Sequence, residues 1–348
     1  MAAKLPLGDW PTPVRRLELP GTELARGAEL YLKDDSVTHP LYGGNKVRKL
    51  EYLLAQAHVS GASRLLTCGA AGSHHVLATA VFGALAGVPV AAVLGPQPAT
   101  DHARRVLECS LAWGLEAYPA QSWPGIAAGF AAVWKPGDFV ILPGGSSVSG
   151  ARGYADAARE LAAQVARGEL PEPDWIVTAL GTAGTVAGLV AGLTATPLRT
   201  RVLAVSVALE HARVGEALVL SMASPLAPRC TLRELRARFA VDVGELGRGY
   251  GHGTARGQRA LETAAAVGIR LDPTYTGKAF AAALSAVRHP SIPPRDPAPA
   301  IGNMLTSGSP LRVLYWHTLA SASLEALEKR GPGRASTASE VRSLLRSG

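Results

Sequence analysis

The chain has 348 residues, 47% of them hydrophobic and 18% charged, and a formal net charge of +8 at pH 7. Such a composition excludes a largely disordered chain and allows two domains, or one large α/β unit with an inserted lobe. No apolar run reaches the roughly 18–20 residues that cross a bilayer, and Met1–Pro6 lacks a signal peptide's apolar core, so a cytoplasmic, membrane-free protein is expected. The basic residues are scattered, mostly Arg, and not interleaved with aromatics, which argues against nucleic acid and for a small anionic cofactor or substrate. Cys68, Cys109 and Cys230 have no metal-ligand spacing, so free thiols and no metal are expected.

Residues 1–28 carry several prolines and read as a segment laid over the surface. Glu29–Lys33 reads as a strand, and an irregular loop follows to Gly43-Gly44. From Lys46 onward Val47, Leu50, Leu53, Leu54 and Ala57 repeat at the spacing of an amphipathic helix. Lys46 therefore stands at a helix start, where the dipole repels its charge and favours a neutral, nucleophilic amine. Only seven of the 35 basic residues are lysines, which makes its placement after two glycines more notable. Arg64–Cys68 is strand-like, Val76–Ala86 helical, Val88–Leu94 a strand, Asp101–Trp113 a helix and Asp138–Leu142 a strand. A helix over Tyr154–Arg167 precedes the strand Trp175–Leu180 and the helix Val186–Leu193. Arg201–Val207 and Val313–Thr318 read as strands, Leu232–Phe239 and Arg256–Val267 as helices, and 288–311 as a loop. The tail after Lys329 is small, basic and expected to be mobile. Strand, glycine turn, helix, strand is the βαβ pattern of an α/β fold with parallel-rich sheets flanked by helices.

Three turns carry chemistry-bearing residues. Gly181-Thr182-Ala183-Gly184-Thr185, between a strand and a helix, offers backbone N–H groups, two hydroxyls and a helix dipole to one anion such as a phosphate. It is neither a Walker motif nor a Gly-x-Gly-x-x-Gly dinucleotide site, and a plain strand-to-helix turn with hydroxyl caps is the alternative. Ser73-His74-His75 stands at another helix start that can hold a carboxylate, or is a Ser cap followed by two polar residues. Asp272–Lys278 sets Tyr275 beside Thr276, and its alternative is a proline-directed turn. Tyr250, between Gly249 and Gly251, is either a site phenol or a packed loop aromatic.

Taken in order, Gly43-Gly44-Asn45-Lys46 with Arg48–Leu53, Gly144-Gly145-Ser146, Gly181–Thr185 and Asp272–Lys278 resemble the fold-type II pyridoxal phosphate enzymes (tryptophan synthase beta-like). More closely they are similar to the 1-aminocyclopropane-1-carboxylate deaminase and D-cysteine desulfhydrase family, over about residues 10 to 327. The resemblance implies two α/β lobes with the cofactor in the cleft, a homodimer, and a small amino acid as substrate. It implies that Lys46 holds pyridoxal 5'-phosphate as a Schiff base and moves protons at the substrate α-carbon, with Asn45 and His74 beside the cofactor. Gly181, Thr182, Ala183, Gly184 and Thr185 grip the phosphate. Ser73, His74 and His75 face the substrate, with Tyr250 and Tyr275 opposite; Ser73 and both tyrosines join Lys46 as catalytic residues. Thr276 lies by the pyridine nitrogen, where the ring-opening deaminases carry Glu and the desulfhydrases Thr, which points to a lyase performing α,β-elimination to a keto acid and ammonia. Racemisation, β-replacement, deamination of the cyclopropane type, or a non-catalytic relative are the alternatives. Ser73-His74 departs from the family's Ser-Asn, the turn before Ser73 is one residue longer, and Leu319-Ala320 replaces Gly-Gly. The expected domains are 50–150 as a small α/β lobe and 1–49 with 151–348 as the large cofactor-binding one.

Overall fold

A computed structural model of the chain describes residues 4–19, 24–25, 27–289, 310–333 and 341–346. In chain order it forms β1 (Val14–Arg16), β2 (Glu29–Asp34), α1 (Asn45–Val59), β3 (Arg64–Ala70), α2 (His74–Leu85), β4 (Val90–Gly95), β5 (Gln97–Pro98) and α3 (Asp101–Ala112). Then come β6 (Glu116–Pro119), α4 (Gly125–Val133), β7 (Asp138–Ile141), α5 (Val148–Ala166), β8 (Trp175–Leu180), α6 (Gly184–Leu193), β9 (Arg201–Ser206) and α7 (Ala212–Leu226). The chain ends with α8 (Leu232–Ala237), β10 (Phe239–Asp242), α9 (Ala255–Ala265), α10 (Thr276–Arg288), β11 (Arg312–His317), α11 (Leu324–Glu328) and β12 (Leu345–Arg346).

Packing divides these into two compact units, residues 1–8, 39–150 and 321–348 in the first, and 9–38 with 151–320 in the second. The expected division put 1–8, 39–49 and 321–348 with the second. Helix α1 belongs to the first because it packs on α2 and because Lys49 Nζ donates to Gly144 O at 3.0 Å. The C-terminal stretch returns there too: Trp113 Nε1 donates to Leu327 O at 2.9 Å, Arg342 pairs with Glu108 at 2.6 Å, and β12 pairs in parallel with β5. Those contacts correct the expectation of a mobile tail for its described residues.

The first unit is built on a four-stranded parallel sheet in the order β6-β4-β3-β7. From β3 the chain winds to β4 and β6 on one side, while β7 returns on the other. The loops leaving β3 and β7 thus flank the point where strand order reverses, the usual crevice for a ligand in an open α/β sheet. Helix α2 is buried from His75 to Gly83, as a crossover helix of small apolar residues must be.

The second unit has the strand order β1-β2-β11-β8-β9-β10, parallel except for the β1–β2 pair. Alternation along the strands explains its two cores. Ile176, Leu180, Val202, Ala204, Leu314 and Trp316 pack with α5, α6 and α7, whereas Trp175, Val177, Leu203, Val205, Val313 and Tyr315 pack with α9 and α10. A sheet covered on both faces needs such continuous apolar strands. Helix α6 comes so close to α5 that a Cβ at Gly188 would lie 2.1 Å from Ala151 O.

Several expected boundaries move. Helix α5 begins at Val148 rather than Tyr154, after the glycine turn. The helix expected over Leu232–Phe239 ends at Ala237, and Phe239 opens β10, where its side chain enters the core. The N-terminal segment is not merely superficial, since Leu17 and Leu19 are buried in the second unit. The loop expected over 288–311 lies largely outside the described residues.

Candidate active site

In the first unit two helix N-termini carry the expected residues. Helix α1 starts at Asn45, preceded by Gly44 at φ 92°, a conformation that costs a side chain strain and suits glycine. Lys46 is partly exposed, and its Nζ donates to Asn45 Oδ1 at 2.7 Å. One helical turn on, Lys49 is buried and its Nζ donates to Gly144 O at 3.0 Å and to Ser146 Oγ at 3.3 Å. Burial first, and the Lys46 charge second, hold the Lys49 amine well below the usual lysine range. Ser73 caps α2, its Oγ accepting from Val76 N at 3.5 Å.

The two histidines of that turn have separate surroundings. His74 is engaged at both ring nitrogens, Nδ1 by Tyr42 Oη at 2.6 Å and Nε2 by His102 Nε2 at 2.7 Å. It can meet a ligand oxygen through a ring nitrogen only by giving up one of these contacts. His75 is buried, with Nε2 at 2.9 Å from Thr67 Oγ1. Thr67 gives its one hydroxyl proton to Ile141 O at 2.7 Å, so His75 Nε2 is the donor and Nδ1 keeps a bare lone pair. That Nδ1 is buried with no hydrogen-bond partner.

Burial, followed by the charges of Lys46 and Lys49, pushes the His75 pKa well below 6.5, so the folded state holds it neutral. The sign follows from linkage: between 6.5 and the depressed folded value the unfolded chain binds more protons, so stability falls as pH drops through that window. His75→Gln is expected to flatten this part of the pH dependence of the urea midpoint, and an unchanged slope would show that His75 does not cause it.

The second unit gathers the remaining expected residues. Strand β8 runs into Gly181-Thr182-Ala183, and α6 starts at Gly184 with Ala183 in the left-handed region at φ 66°. Ala183 is the one positive-φ residue other than glycine among the described residues. Such strain collects where a loop must aim its backbone at a ligand. Thr185 is buried in the first turn of α6 while Thr182 is exposed. A Cβ on Gly181 would stand 3.3 Å from Tyr275 Cε1, so the phenol lies directly against this loop. Tyr275 Oη donates to Tyr250 Oη at 2.8 Å, with the rings edge to face. Burial, with Tyr250 and Asp272 adding to it, raises the Tyr275 pKa well above its usual value. The phenol therefore stays protonated at neutral pH.

Thr276, the first residue of α10, is buried and donates from Oγ1 to Asp272 Oδ2 at 2.6 Å while accepting from Asp272 N at 2.7 Å. Asp272 also accepts from Thr274 N at 2.9 Å and Tyr275 N at 2.7 Å through Oδ1, and from Thr276 N at 3.1 Å through Oδ2. This one carboxylate fixes the loop that presents both Tyr275 and Thr276. Lys278 holds the opposite loop, its Nζ donating to Leu246 O at 2.8 Å and Gly249 O at 3.2 Å, next to Tyr250.

Comparison with known proteins decides the family. Residues 5–298 match the model of the pyridoxal-phosphate dependent enzyme family. The chain belongs to this family. Among curated proteins it is similar to the D-cysteine desulfhydrase of Klebsiella pneumoniae (strain 342), 32% identical over 88% of this chain and 94% of that one. The D-cysteine desulfhydrase of Yersinia enterocolitica serotype O:8 / biotype 1B (strain NCTC 13174 / 8081) is 33% identical over 87% and 93%. Among solved structures, one described as an ACC deaminase homologue superposes with a TM-score of 0.74 at 26% identity, covering 93% of this chain and 96% of that one. The protein is thus a fold-type II pyridoxal phosphate enzyme, and a lyase.

The residues present fit that cofactor. The strained Ala183 loop at the start of α6 offers a seat for a phosphate, a lysine stands at the start of α1, and the orphaned His75 Nδ1 is an acceptor that protein atoms leave unsatisfied. Sequence reasoning gave no role of their own to Tyr42, Lys49, His102, Asp272 and Lys278. Lys49 and Lys278 were visible as lysines in a chain with few of them, but their burial was not. His102 had no local signal, because it meets His74 only through the packing of α3 on α2.

Proposed function

We propose that the protein is a D-cysteine desulfhydrase-like lyase, converting a small amino acid to a keto acid and ammonia by α,β-elimination. In this reading Lys46 carries the pyridoxal phosphate through its Nζ, with Asn45 alongside, and the 181–185 loop binds the phosphate. The second unit then serves as the cofactor-binding domain and the first as the smaller one. Bound cofactor supplies an electron sink for the pair left when the substrate loses its α-proton.

The chain's own residues do the rest. The N-terminus of α2 and the Ser73 hydroxyl bind the substrate carboxylate, since backbone N–H groups and the helix dipole favour an anion there. Lys46 Nζ, freed once the substrate amine takes its place, would take the α-proton. The Cβ–leaving-group bond breaks with its electron pair going to the leaving group, and water hydrolyses the resulting enamine to the keto acid and ammonia. Tyr275, protonated, donates a hydrogen bond to the departing atom or to the substrate amine by turning its hydroxyl away from Tyr250, whose own hydroxyl then donates to Tyr275. Two buried free thiols, Cys68 and Cys109, agree with a reducing cytoplasm. No helix among the described residues is long and apolar enough to cross a membrane. Helix α4 has no buried residue, and Trp123 and Trp134 beside it are about half exposed, which suits burial in a homodimer.

The observation that carries the choice of elimination is Thr276. In this reading the residue by the cofactor nitrogen would be a hydroxyl whose proton is given to Asp272, where a ring-opening enzyme would need an acid to keep that nitrogen protonated. Product analysis of the purified holoenzyme with D- and L-cysteine, D- and L-serine and 1-aminocyclopropane-1-carboxylate tests this. Pyruvate, ammonia and sulfide from D-cysteine, with no product from the cyclopropane, is the expected result. Formation of the opposite enantiomer, or of a keto acid from the cyclopropane alone, would replace elimination by one of the other reactions.

A further inference from the structure

We propose that Tyr42, His74 and His102 form a proton relay between the α1–α2 end of the active site and the surface at the start of α3. This rests on the reading of that end as the place where Lys46 and Ser73 act. Tyr42 is buried in the loop leading to α1, four residues before Lys46; His74 adjoins Ser73; His102 is partly exposed in the first turn of α3. The contacts are 2.6 Å from Tyr42 Oη to His74 Nδ1 and 2.7 Å from His74 Nε2 to His102 Nε2. The Tyr42 and His74 rings lie nearly parallel, 10° apart, and His102 is tilted 37° from His74.

Proton counting gives the relay its logic. Two imidazole nitrogens at hydrogen-bond distance share one proton, so one ring donates and the other accepts. A phenol on the far nitrogen of His74 fixes the polarity. When Tyr42 donates to His74 Nδ1, His74 Nε2–H donates to His102 Nε2, and His102 carries its own proton on Nδ1. A proton arriving at the Tyr42 oxygen is balanced by one leaving His102 Nδ1 to water: the phenol proton moves to His74 Nδ1, and the His74 Nε2 proton moves to His102. Each group stays neutral, and reversing the polarity resets the chain. Held only for packing, His74 would need no titratable partner on both sides. Tyr42 and His102 are here the two ends of the chain, passing protons through His74.

The relay is tested at two levels. In uniformly 15N-labelled holoenzyme, a through-bond coupling between His74 Nε2 and His102 Nε2 is expected, lost in His102→Gln; Tyr42→Phe is expected to shift the His74 Nδ1 resonance. Absence of the coupling in a folded wild-type protein overturns the relay, whatever the enzyme's reaction. In the holoenzyme, exchange of the α-proton of D-alanine, which has no leaving group, is followed in deuterated buffer. His102→Gly is expected to slow exchange about tenfold, toward the low end of what acid–base groups contribute because solvent partly substitutes, and added imidazole to restore it. Cofactor binding and KM are expected to stay unchanged. Slowing that imidazole does not rescue, or no slowing, overturns the relay. No exchange in the wild type with the coupling present counts against the relay's role and against the proposed function, while leaving the hydrogen-bonded chain itself established.

Discussion

Lys46→Ala is expected to lower kcat for α,β-elimination by at least about a thousandfold, because it removes both the amine that holds the cofactor and the base at the α-carbon. The change is expected to leave the fold intact. Lys46 is partly exposed, and its Nζ donates to the neighbouring Asn45. Circular dichroism and the urea midpoint should match the wild type while activity is lost. Lys49 offers the contrast. It sits one turn further on, buried, with its pKa held down by burial and by Lys46, and it ties α1 to the 144–146 turn. Its loss should damage the packing of that turn, with a fall in stability accompanying any fall in rate. Equal activity in Lys46→Ala and wild type would remove Lys46 from the chemistry.

Asp272→Ala is expected to destabilise the second unit by about 3 kcal/mol, since four donors, those of Thr276 fully buried, lose their acceptor at once and each orphaned buried group costs roughly 1–3 kcal/mol. Four donors converge on this carboxylate: the amides of Thr274, Tyr275 and Thr276 and the Thr276 hydroxyl. Urea unfolding followed by circular dichroism reads the loss. The same change frees the Tyr275 ring from its place against Gly181, so kcat should fall with stability. Asp272→Asn keeps one acceptor oxygen and is expected to fall between the two. If Asp272→Ala unfolded at the wild-type midpoint, the carboxylate would not be what holds this loop.

Much of the fold was legible because both sheets are mostly parallel and covered by helices, which makes their strands short apolar runs between glycine turns. Trp175–Leu180 has the same bounds in sequence and structure, and Gly181–Thr185 stands at a strand-to-helix junction as its composition suggests. Elements with weaker local signals were missed. Strand β6 spans only Glu116–Pro119, and α4 is a run of Gly, Ala, Ile, Phe and Val with no polar face to give it a period. Phe239 was read into a helix because α8 and β10 are separated by one residue, so an apolar side chain fits either pattern. In the site, residues that lie in motifs could be found singly. Their partners could not, since Tyr42 and His102 reach His74 across 32 and 28 residues. The polarity of Thr276 depends on Asp272 four residues earlier, a pairing that only the closed turn reveals.

The central claim is that Lys46 carries the cofactor of a pyridoxal phosphate lyase. Reducing the holoenzyme with borohydride fixes the cofactor to the amine that holds it, and mass spectrometry of the digested protein locates the label. A phosphopyridoxyl group on Lys46, and none on Lys49 or Lys278, is the predicted result. A label on either of those lysines, or a stoichiometric holoenzyme that reduction leaves unlabelled, would contradict it.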